Sequence, residues 1–225
     1  QTHQDNMGAF GGPDIITDGL VFAVDAGSTR SYPGSGTTWV NLGSSGSDVA
    51  LTNGPVFNSA NGGYFEFDGT DDYAYSNSAS FDITGNVTIN SWIRHDASGS
   101  SVGNYMSNSA NSGYRMRRNT VSTNGPLWIY ASGNAVSGGN IENNIWYMVT
   151  GVFSSTGLRA YINGVLVASN TTTYSSSFGG DFYIGAYVAG SEIFGGDIAS
   201  AQVYSSALTV AQILQNYNAQ KNRFI

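Results

Sequence analysis

The stretch GGDIASAQVYSSALTVAQILQNYNA (residues 195–219) joins a strand-like segment to the one clear helix of the chain. Thr209 is a natural N-cap, and Gln212 three residues later completes a capping box. Apolar side chains follow at helical spacing and form one stripe, at Val210, Ile213, Leu214 and Tyr217. The sequence therefore predicts a strand that leads into a short packing helix near the C-terminus.

Most of the remaining chain is predicted to be β-structure. Short runs of β-branched and aromatic residues alternate with turn signals, a spacing typical of a sandwich or barrel. The predicted strands are residues 19–27, 64–67, 72–76, 86–94, 113–117, 126–132, 144–153, 158–162, 165–169, 181–188 and 197–205. Two stretches rich in Ser, Gly and Asn, residues 97–112 and 132–143, are predicted to be loops that could carry recognition.

Two local patterns refine this prediction. Asn163-Gly164 stands between two strand-like runs and predicts a type I′ hairpin, because both residues accept positive φ at low cost. Residues 145–153 carry apolar side chains on both faces of the predicted strand. A strand buried on both faces belongs in the middle of a layered structure.

The composition bounds the classes of partner. The 225 residues fit one domain of the larger all-β kind. Charged residues make up 10% of the chain, against roughly 25% in an average soluble domain, so the surface suits neutral polar partners such as sugars. A net charge of −7 with eight basic residues argues against nucleic acid and anionic membranes. The absence of cysteine excludes disulfides, zinc-thiolate sites and a catalytic cysteine.

Arg115, Arg117 and Arg118 are a local exception on this acidic chain. One interpretation is a solvated or ion-paired strand face, which is the commoner situation for such a run. The other is a contact to phosphate or to an acidic glycan. No stretch of about 18 apolar residues is present, so no membrane insertion is predicted.

The sequence divides into three parts. Residues 1–13 are polar and contain glycine, and they are predicted to form an N-terminal arm. Residues 14–219 hold the predicted strands and the helix, and form the sandwich. Residues 220–225 form a short tail whose aromatic end is expected to dock on a neighbouring molecule.

Four carboxylates lie close together in YFEFDGTDDYAY (residues 64–75), at Glu66, Asp68, Asp71 and Asp72. Glu66 to Asp71 has the spacing Glu-x-Asp-x-x-acid, which on one continuous strand places catalytic acids on one face. The turn signal Asp68-Gly69 interrupts the strand, however, and the last acid is Asp rather than Glu. We favour a tight turn in which Asp side chains accept hydrogen bonds from backbone N–H groups.

A hard cation is the third interpretation of these acids. Ca²⁺ takes about six to eight oxygen ligands from carboxylates, amides and carbonyls. The candidate metal ligands are Asp25, Asp72 and Asp197, together with the other acids of the turn. No cofactor is predicted to be required, and Ca²⁺ is the candidate ion.

Aromatic residues next to polar segments are the candidate ligand-binding residues, because a sugar ring stacks its C–H face on such rings. The candidates are Trp39, Trp128, Tyr130 and Tyr187. The alternative for each is burial in the core of the sandwich or under a loop.

Six segments together have a family pattern. They are residues 19–46, 65–75, 86–94, 145–153, 159–169 and 195–219. In this order they resemble the laminin-G-like jelly roll of the concanavalin A-like lectin/glucanase superfamily, over about residues 14–219. The version with SYPGSGTTWVNL (residues 31–42) is similar to domains found in virion proteins of tailed bacteriophages.

The resemblance implies an all-β fold, a two-sheet antiparallel jelly-roll sandwich with one short C-terminal helix. Domains of this kind bind glycans or proteins, and some relatives carry a Ca²⁺ at the rim. Ala199 stands where relatives often have a second acid after Asp197, so no calcium ligand set is carried over.

The sequence thus predicts a non-enzymatic module on the surface of a virion, decorating a phage head or tail. Its expected partners are other virion proteins, bound through the arm, and host-surface polysaccharide, with the chain present in repeated copies or as a homo-oligomer. The alternative is a bacterial extracellular carbohydrate-binding or adhesin domain at the cell surface. A glycoside hydrolase would require Glu66 and a second carboxylate to face each other across a groove.

Overall fold

The computed structural model describes residues 14–44, 47–99, 102–109, 113–119, 124–174 and 180–225, and of 97–99 it gives the strand but not the side chains. The predicted arm, residues 1–13, lies outside the described residues. Strands dominate the described part, and one α-helix lies near its C-terminal end.

The strands are β1 (Leu20–Asp25), β2 (Thr38–Trp39), β3 (Val49–Thr52), β4 (Val56–Asn58), β5 (Tyr64–Asp68), β6 (Tyr73–Ser76), β7 (Val87–Gly99), β8 (Gly103–Asn108), β9 (Arg115–Arg118), β10 (Gly125–Ala131), β11 (Asn134–Ile141), β12 (Trp146–Ser154), β13 (Gly157–Ile162), β14 (Val165–Ser169), β15 (Phe182–Ile184) and β16 (Phe194–Tyr204). The helix is α1 (Val210–Gln220), and short 3₁₀ turns occupy Ala60–Gly62, Ala79–Phe81 and Lys221–Arg223.

These strands form two antiparallel sheets. Sheet A has the order β14-β13-β12-β7-β16-β5-β4, and β1 also pairs with β16. Sheet B has the order β11-β10-β9-β8-β15-β6-β3-β2. The two sheets pack as a jelly-roll sandwich, which confirms the predicted fold class.

The core lies between the sheets and is rich in aromatic rings. Phe22 of sheet A lies 5.3 Å from Phe182 of sheet B between ring centroids, and Phe81 stacks on Phe182 at 4.0 Å. Trp39 of β2 is fully buried, with its ring 4.8 Å from that of Phe65 in β5. Aromatic pairs of this kind contribute about 0.5–1.5 kcal/mol beyond the burial of their area. Trp39 therefore attaches the edge of sheet B to sheet A.

Two features predicted from sequence occur as expected. Asn163 and Gly164 have φ of 51° and 80°, the positive values that a type I′ turn requires, and they join β13 to β14. Strand β12 lies between β7 and β13 in the interior of sheet A. Its two faces pack into two different apolar clusters, with Val149 in one and Met148 in the other.

The helix has the predicted capping box. The Thr209 side chain accepts a hydrogen bond from Gln212 N, and the Gln212 side chain accepts one from Thr209 N. The apolar stripe of this packing helix is only partly buried. Ile213 is buried, whereas Val210 and Leu214 are 56% and 44% exposed. Within the described residues, no helix is long and apolar enough to cross a bilayer.

The C-terminal tail packs on its own domain, so the expectation that it docks on a neighbour is wrong. The Phe224 ring stacks on Trp92 at 4.3 Å and lies 4.8 Å from the ring of Trp146. Arg223 Nη1 donates to both carboxylate oxygens of Asp25, at 2.9 and 2.8 Å. Together α1 and the tail cover part of the outer face of sheet A.

The first described residues lie against the same helix. Ile16 N donates to Asn216 Oδ1 at 2.8 Å, and Gln215 Nε2 donates to the Asp14 carbonyl at 2.8 Å. Residues 14–16 and the tail are therefore both on the sheet A side of the molecule.

Five strands were not predicted, namely β2, β3, β4, β8 and β11. Strand β8 lies in the predicted loop 97–112, yet all six of its residues are buried between β9 and β15. Its polar side chains find partners there, as when Asn108 Nδ2 donates to the Phe81 carbonyl at 3.2 Å. Strand β11 lies in the predicted loop 132–143, where Gly, Ser and Asn form an edge strand beside β10.

Candidate functional site

The outer face of sheet B is lined by aromatic and charged side chains. In β10, the period-two alternation turns Leu127 and Ile129 inward and leaves Trp128 and Tyr130 half-buried on the outside. In β9, it buries Met116 and leaves Arg115 and Arg117 facing outward. The strand register places Trp128 opposite Arg117 and Tyr130 opposite Arg115.

Arg115 lies between two tyrosine rings. Its Cζ is 4.2 Å from the centroid of the Tyr130 ring and 4.5 Å from that of Tyr187. Stacked cation–π contacts at these distances contribute about 0.5–1 kcal/mol each at exposed sites and more when water is excluded. The two rings restrict the positions that the guanidinium can occupy.

Glu192 completes this group. Arg117 Nη1 donates to Glu192 Oε2 at 2.9 Å, and Arg115 Nη1 lies 3.6 Å from the same oxygen. The side-chain amide of Asn104, a buried residue of β8, also donates to that carboxylate. We call Asn104, Arg115, Arg117, Tyr130, Tyr187 and Glu192 the arginine–tyrosine cluster.

The loop between β15 and β16, residues 185–193, carries two members of this cluster across the outer face of sheet B. Ser107 Oγ on β8 lies 2.9 and 3.0 Å from the carbonyls of Ala186 and Tyr187 and donates to them. Glu192 has φ of 52°, a left-handed conformation that costs free energy for a non-glycine residue. Asn104 N donates to the Glu192 carbonyl at 3.1 Å and holds that conformation in place.

A second group of rings lies further along the same face. Tyr183 lies 5.1 Å from Tyr75 and 5.7 Å from Tyr73 between ring centroids. Beside Tyr75 is an open groove of about 300 Å³. Its lining is a mixture of polar and apolar surface and consists of Thr38, Asp48, Val49, Ala50, Tyr75, Ser76 and Asn77. We call this the tyrosine groove.

The structure brings together three of the four predicted aromatic binding residues. Trp128, Tyr130 and Tyr187 all lie on the outer face of sheet B. Trp39 does not, and its prediction is corrected: the residue is fully buried in the core and is closed to a surface ligand. Asn104 and Glu192 were not predicted, because neither lies in a recognisable motif.

The three candidate calcium ligands do not form one site, which corrects that prediction. Asp25 is paired with Arg223, and Asp197 Oδ2 accepts from Arg94 Nε at 2.5 Å. Asp72 belongs to the turn after β5. In the part of the chain that the structure describes, the one group of three acidic or histidine side chains close enough to share an ion is Asp68, Asp71 and Asp72.

This acidic turn uses its carboxylates internally, as the favoured interpretation expected. Asp68 Oδ1 accepts from Thr70 N at 2.7 Å and from Asp71 N at 3.3 Å, and Asp72 Oδ2 accepts from Asp68 N at 3.0 Å. Burial acts to raise the pKa of Asp68, but these backbone donors outweigh it and hold the pKa below its usual value. For Asp72, burial dominates and raises the pKa.

Glu66 and Asp71 are not arranged as the catalytic acids of a glucanase. Strand β5 ends at Asp68, so Asp71 does not extend the face that Glu66 occupies. Glu66 is exposed and pairs in register with Asp197 on the neighbouring strand of sheet A. Asp197 is ion-paired with Arg94, and the two acids are cross-strand neighbours rather than partners across a groove.

A further polar group is sealed inside the sandwich. His95, Tyr105 and Arg118 are all fully buried, and Arg118 Nη1 donates to the Ile141 carbonyl at 3.2 Å and to Asn143 Oδ1 at 2.6 Å. Burial, reinforced by the nearby charge of Arg118, lowers the pKa of His95 to about 4. His95, Tyr105 and Arg118 are therefore inaccessible to ligands, and they act on the free energy of unfolding.

Comparison with known proteins agrees with the jelly-roll fold. Residues 68–214 match the model of a laminin-G-like family in the concanavalin A-like lectin/glucanases superfamily. The chain belongs to this family. A comparison with the sequences of curated proteins found no match.

Solved structures similar to this laminin-G-like chain come from larger proteins. Trypanosoma rangeli sialidase in complex with sialic acid aligns with a TM-score of 0.70 at 14% identity, over 94% of this chain and 34% of the sialidase. The receptor-binding domain of botulinum neurotoxin C/D mosaic serotype aligns with a TM-score of 0.69 at 16% identity, over 91% of this chain and 52% of that domain. The chain thus spans about a third to a half of these structures, and at such identity the likeness shows the fold alone.

Proposed function

We propose that this chain is a carbohydrate-binding module and that its ligand lies on the outer face of sheet B. The observation that carries the proposal is the stack of Tyr130, Arg115 and Tyr187, together with the half-buried Trp128 on the same face. Aromatic rings offer stacking surfaces for the C–H faces of sugars, and the side chains beside them offer hydrogen bonds to hydroxyl groups. Proteins bind small ligands in such mixed sites of rings and a few fixed polar groups.

The two faces of the sandwich differ in a way that favours sheet B. The outer face of sheet A is partly occupied by α1 and by the Phe224 tail. The outer face of sheet B carries both the arginine–tyrosine cluster and the tyrosine groove. The structural neighbours, a sialidase with bound sialic acid and a receptor-binding domain, give this proposal indirect support.

The test is binding of the purified chain to a broad panel of neutral and acidic glycans. Tyr187→Phe keeps the ring and should retain binding, whereas Tyr187→Ala removes it and should weaken binding about three- to tenfold, since a stacked ring contact contributes of the order of 1 kcal/mol. Leu166→Ala, on the 48% exposed Leu166 of edge strand β14, is the control and should leave binding unchanged. A panel without any bound glycan would overturn the proposal.

We propose the surface of a virus particle as the setting, with host-surface polysaccharide as the ligand. The weakly charged surface and the polar residues 1–13 support this, since the latter would supply an anchoring arm to other virion proteins. Deletion of residues 1–13 should prevent incorporation into particles and leave glycan binding intact. Incorporation without these residues would refute the arm, and glycan binding without particle association would favour an extracellular adhesin.

A further inference from the structure

We infer that the saccharide bound by sheet B is anionic, and that Arg115 binds its carboxylate group. This inference rests on the proposed function and names the chemical class of its ligand. It comes from four features of the arginine–tyrosine cluster: unused hydrogen-bond donors, a fixed orientation, an excess of positive charge and a neighbouring aromatic ring.

The donors of Arg115 are unused. A guanidinium carries five N–H donors and no acceptor. Among the residues that the structure describes, none accepts a hydrogen bond from Arg115, and its Nη1 stays 3.6 Å from Glu192 Oε2. The Arg115 side chain is nevertheless 14% exposed, so part of it is within reach of a ligand. A charged group with unfilled donors beside solvent is suited to bind an anion.

The orientation of Arg115 is fixed in advance. The Tyr130 and Tyr187 rings lie 4.2 and 4.5 Å from Cζ, and Nε is buried without a hydrogen-bond partner among the described residues, so the two Nη groups are the donors that a ligand can reach. A planar guanidinium held in this way matches the two oxygens of a carboxylate through paired hydrogen bonds. Little side-chain entropy is then lost when the ligand binds.

The charges of the cluster do not balance. Two arginines face one carboxylate, and Glu192 lies nearer to Arg117, at 2.9 Å, than to Arg115. One positive charge is therefore left over, and it is carried mainly by Arg115. The chain as a whole has a net charge of −7, which repels densely charged polyanions. This combination favours a saccharide with isolated carboxylates over a highly sulfated one.

Trp128 offers an aromatic surface, on the same face as Arg115, on which the sugar ring of a bound saccharide could stack. Trp128 stands opposite Arg117 on the adjacent strand and is half-buried on the same face, two residues before Tyr130. A carboxylate held at Arg115 would bring its sugar ring toward Trp128 and Tyr130. We therefore assign Arg115 the charge recognition and Trp128 the stacking of the ring.

The experiment uses paired probes that differ in charge alone or nearly so. Oligogalacturonate and sialyllactose are each compared with their methyl esters, by isothermal titration calorimetry on the full chain. We expect at least one acidic probe to bind, and its neutral partner to bind at least tenfold more weakly. Dextran sulfate, which is densely sulfated and has no carboxylate, serves as the sulfated probe and should bind no better than the carboxylate probes.

Two variants of Arg115 test the residue. Arg115→Met removes the charge and keeps an apolar stem between the rings, and should weaken binding of the acidic probe about ten- to hundredfold, the range expected for a hydrogen-bonded charge pair. Arg115→Lys keeps the charge without the planar fork and should fall between wild type and Arg115→Met. Arg159→Met removes a positive charge from sheet A and is the matched control, with unchanged affinity expected.

The outcomes separate the inference from the proposed function. Equal affinity for an acidic probe and its neutral partner, unchanged in Arg115→Met, would overturn the inference and leave carbohydrate binding standing. Preference for dextran sulfate over every carboxylate probe would also overturn it. Failure of all neutral and acidic glycans to bind would overturn the proposed function itself.

Discussion

Asn104 holds Glu192 at two points. Its backbone N–H donates to the Glu192 carbonyl at 3.1 Å, and its side-chain amide donates to the Glu192 carboxylate. Because Asn104 is fully buried on β8, it ties the loop of residues 185–193 to the middle of sheet B. The left-handed backbone of Glu192 and the position of its charge both depend on this contact.

Asn104→Ala should lower the free energy of unfolding by about 1.5–3 kcal/mol, because it removes a hydrogen bond to a charged group. It should also speed hydrogen exchange at Tyr187 N and Ser191 N, whose bonds close the loop. Asn140→Ala is the matched control, since Asn140 is exposed and its bond to Glu142 is 3.5 Å long. Unchanged exchange in Asn104→Ala would show that other contacts hold the loop.

Glu192→Gln should strengthen binding of a carboxylate-bearing saccharide about two- to fivefold. The amide keeps an acceptor for Arg117 and Asn104 but removes a negative charge, and charge pairs near the surface contribute up to about 1 kcal/mol. Calorimetry with the acidic probe measures the effect, and Glu142→Gln on an exposed position is the control. Weaker binding by Glu192→Gln would mean that the charge of Glu192 is needed to position the arginines.

Stability should fall as the pH drops from about 6.5 towards 4, through the burial of His95. The folded protein binds a proton at His95 less readily than the unfolded chain, so acid favours the unfolded chain. The stabilisation is fully present above pH 6.5, and about 3 kcal/mol is lost on passing through the two pKa values.

His95→Phe tests this dependence, because it fills the same space without a titrating group. The difference in unfolding free energy between wild type and His95→Phe, followed by urea denaturation from pH 8 to pH 4, isolates His95 from the carboxylates. Parallel pH profiles for the two proteins would contradict the lowered pKa.

Removal of residues 221–225 should lower the free energy of unfolding by about 3–5 kcal/mol, the usual cost of losing a buried aromatic side chain. It should also shift the tryptophan fluorescence to the red, because Phe224 covers Trp92 and Trp146. Removal of Ile225 alone, which is 64% exposed, is the control and should cost under about 0.5 kcal/mol. A truncated chain as stable as the full one would show that the tail is dispensable.

Calcium should not raise the melting temperature, and a chelator should not change glycan binding. The carboxylates of Asp68 and Asp72 already accept backbone hydrogen bonds within their turn. Thermal melts with 1 mM Ca²⁺, about the extracellular range of weak sites, and with EGTA measure this. A stabilisation by Ca²⁺ that is lost in Asp72→Asn would instead locate a metal site at this turn.

The elements with strong local signals were predictable from the sequence. Thr209 and Gln212 indicated the start of the helix, and Asn163-Gly164 indicated the hairpin between β13 and β14. Both were predictable because capping and turn geometry depend on residues close in sequence. Strands β8 and β11 were missed because Gly, Ser and Asn have little strand preference of their own. In β8, the stabilising contacts come from distant residues such as Phe81, which no local pattern reveals.

In the candidate site too, local patterns were predictable and contacts between distant residues were not. Alternation in β10 was enough to place Trp128 and Tyr130 on one face, but the same tryptophan signal at Trp39 marked a core residue. Glu192 and Asn104 meet across 88 positions of sequence, so their contact depends on how β8 and the loop are brought together by the sheet. The predicted grouping of Asp25, Asp72 and Asp197 failed for a related reason, since Asp25 and Asp197 each have an arginine partner that lies far along the chain.

The contacts of Asp14 and Ile16 with α1 place the start of the described chain on the same side of the sandwich as its C-terminal tail. A segment or surface joined before residue 14 or after Ile225 would meet the helix side, where both ends of the described chain lie. Whether the protein is attached through its first or its last residues, the outer face of sheet B points away from the attachment. Copies fixed side by side on a support would therefore all present Arg115 and its tyrosines outward, and several weak contacts to one long polymer would add up to firm attachment.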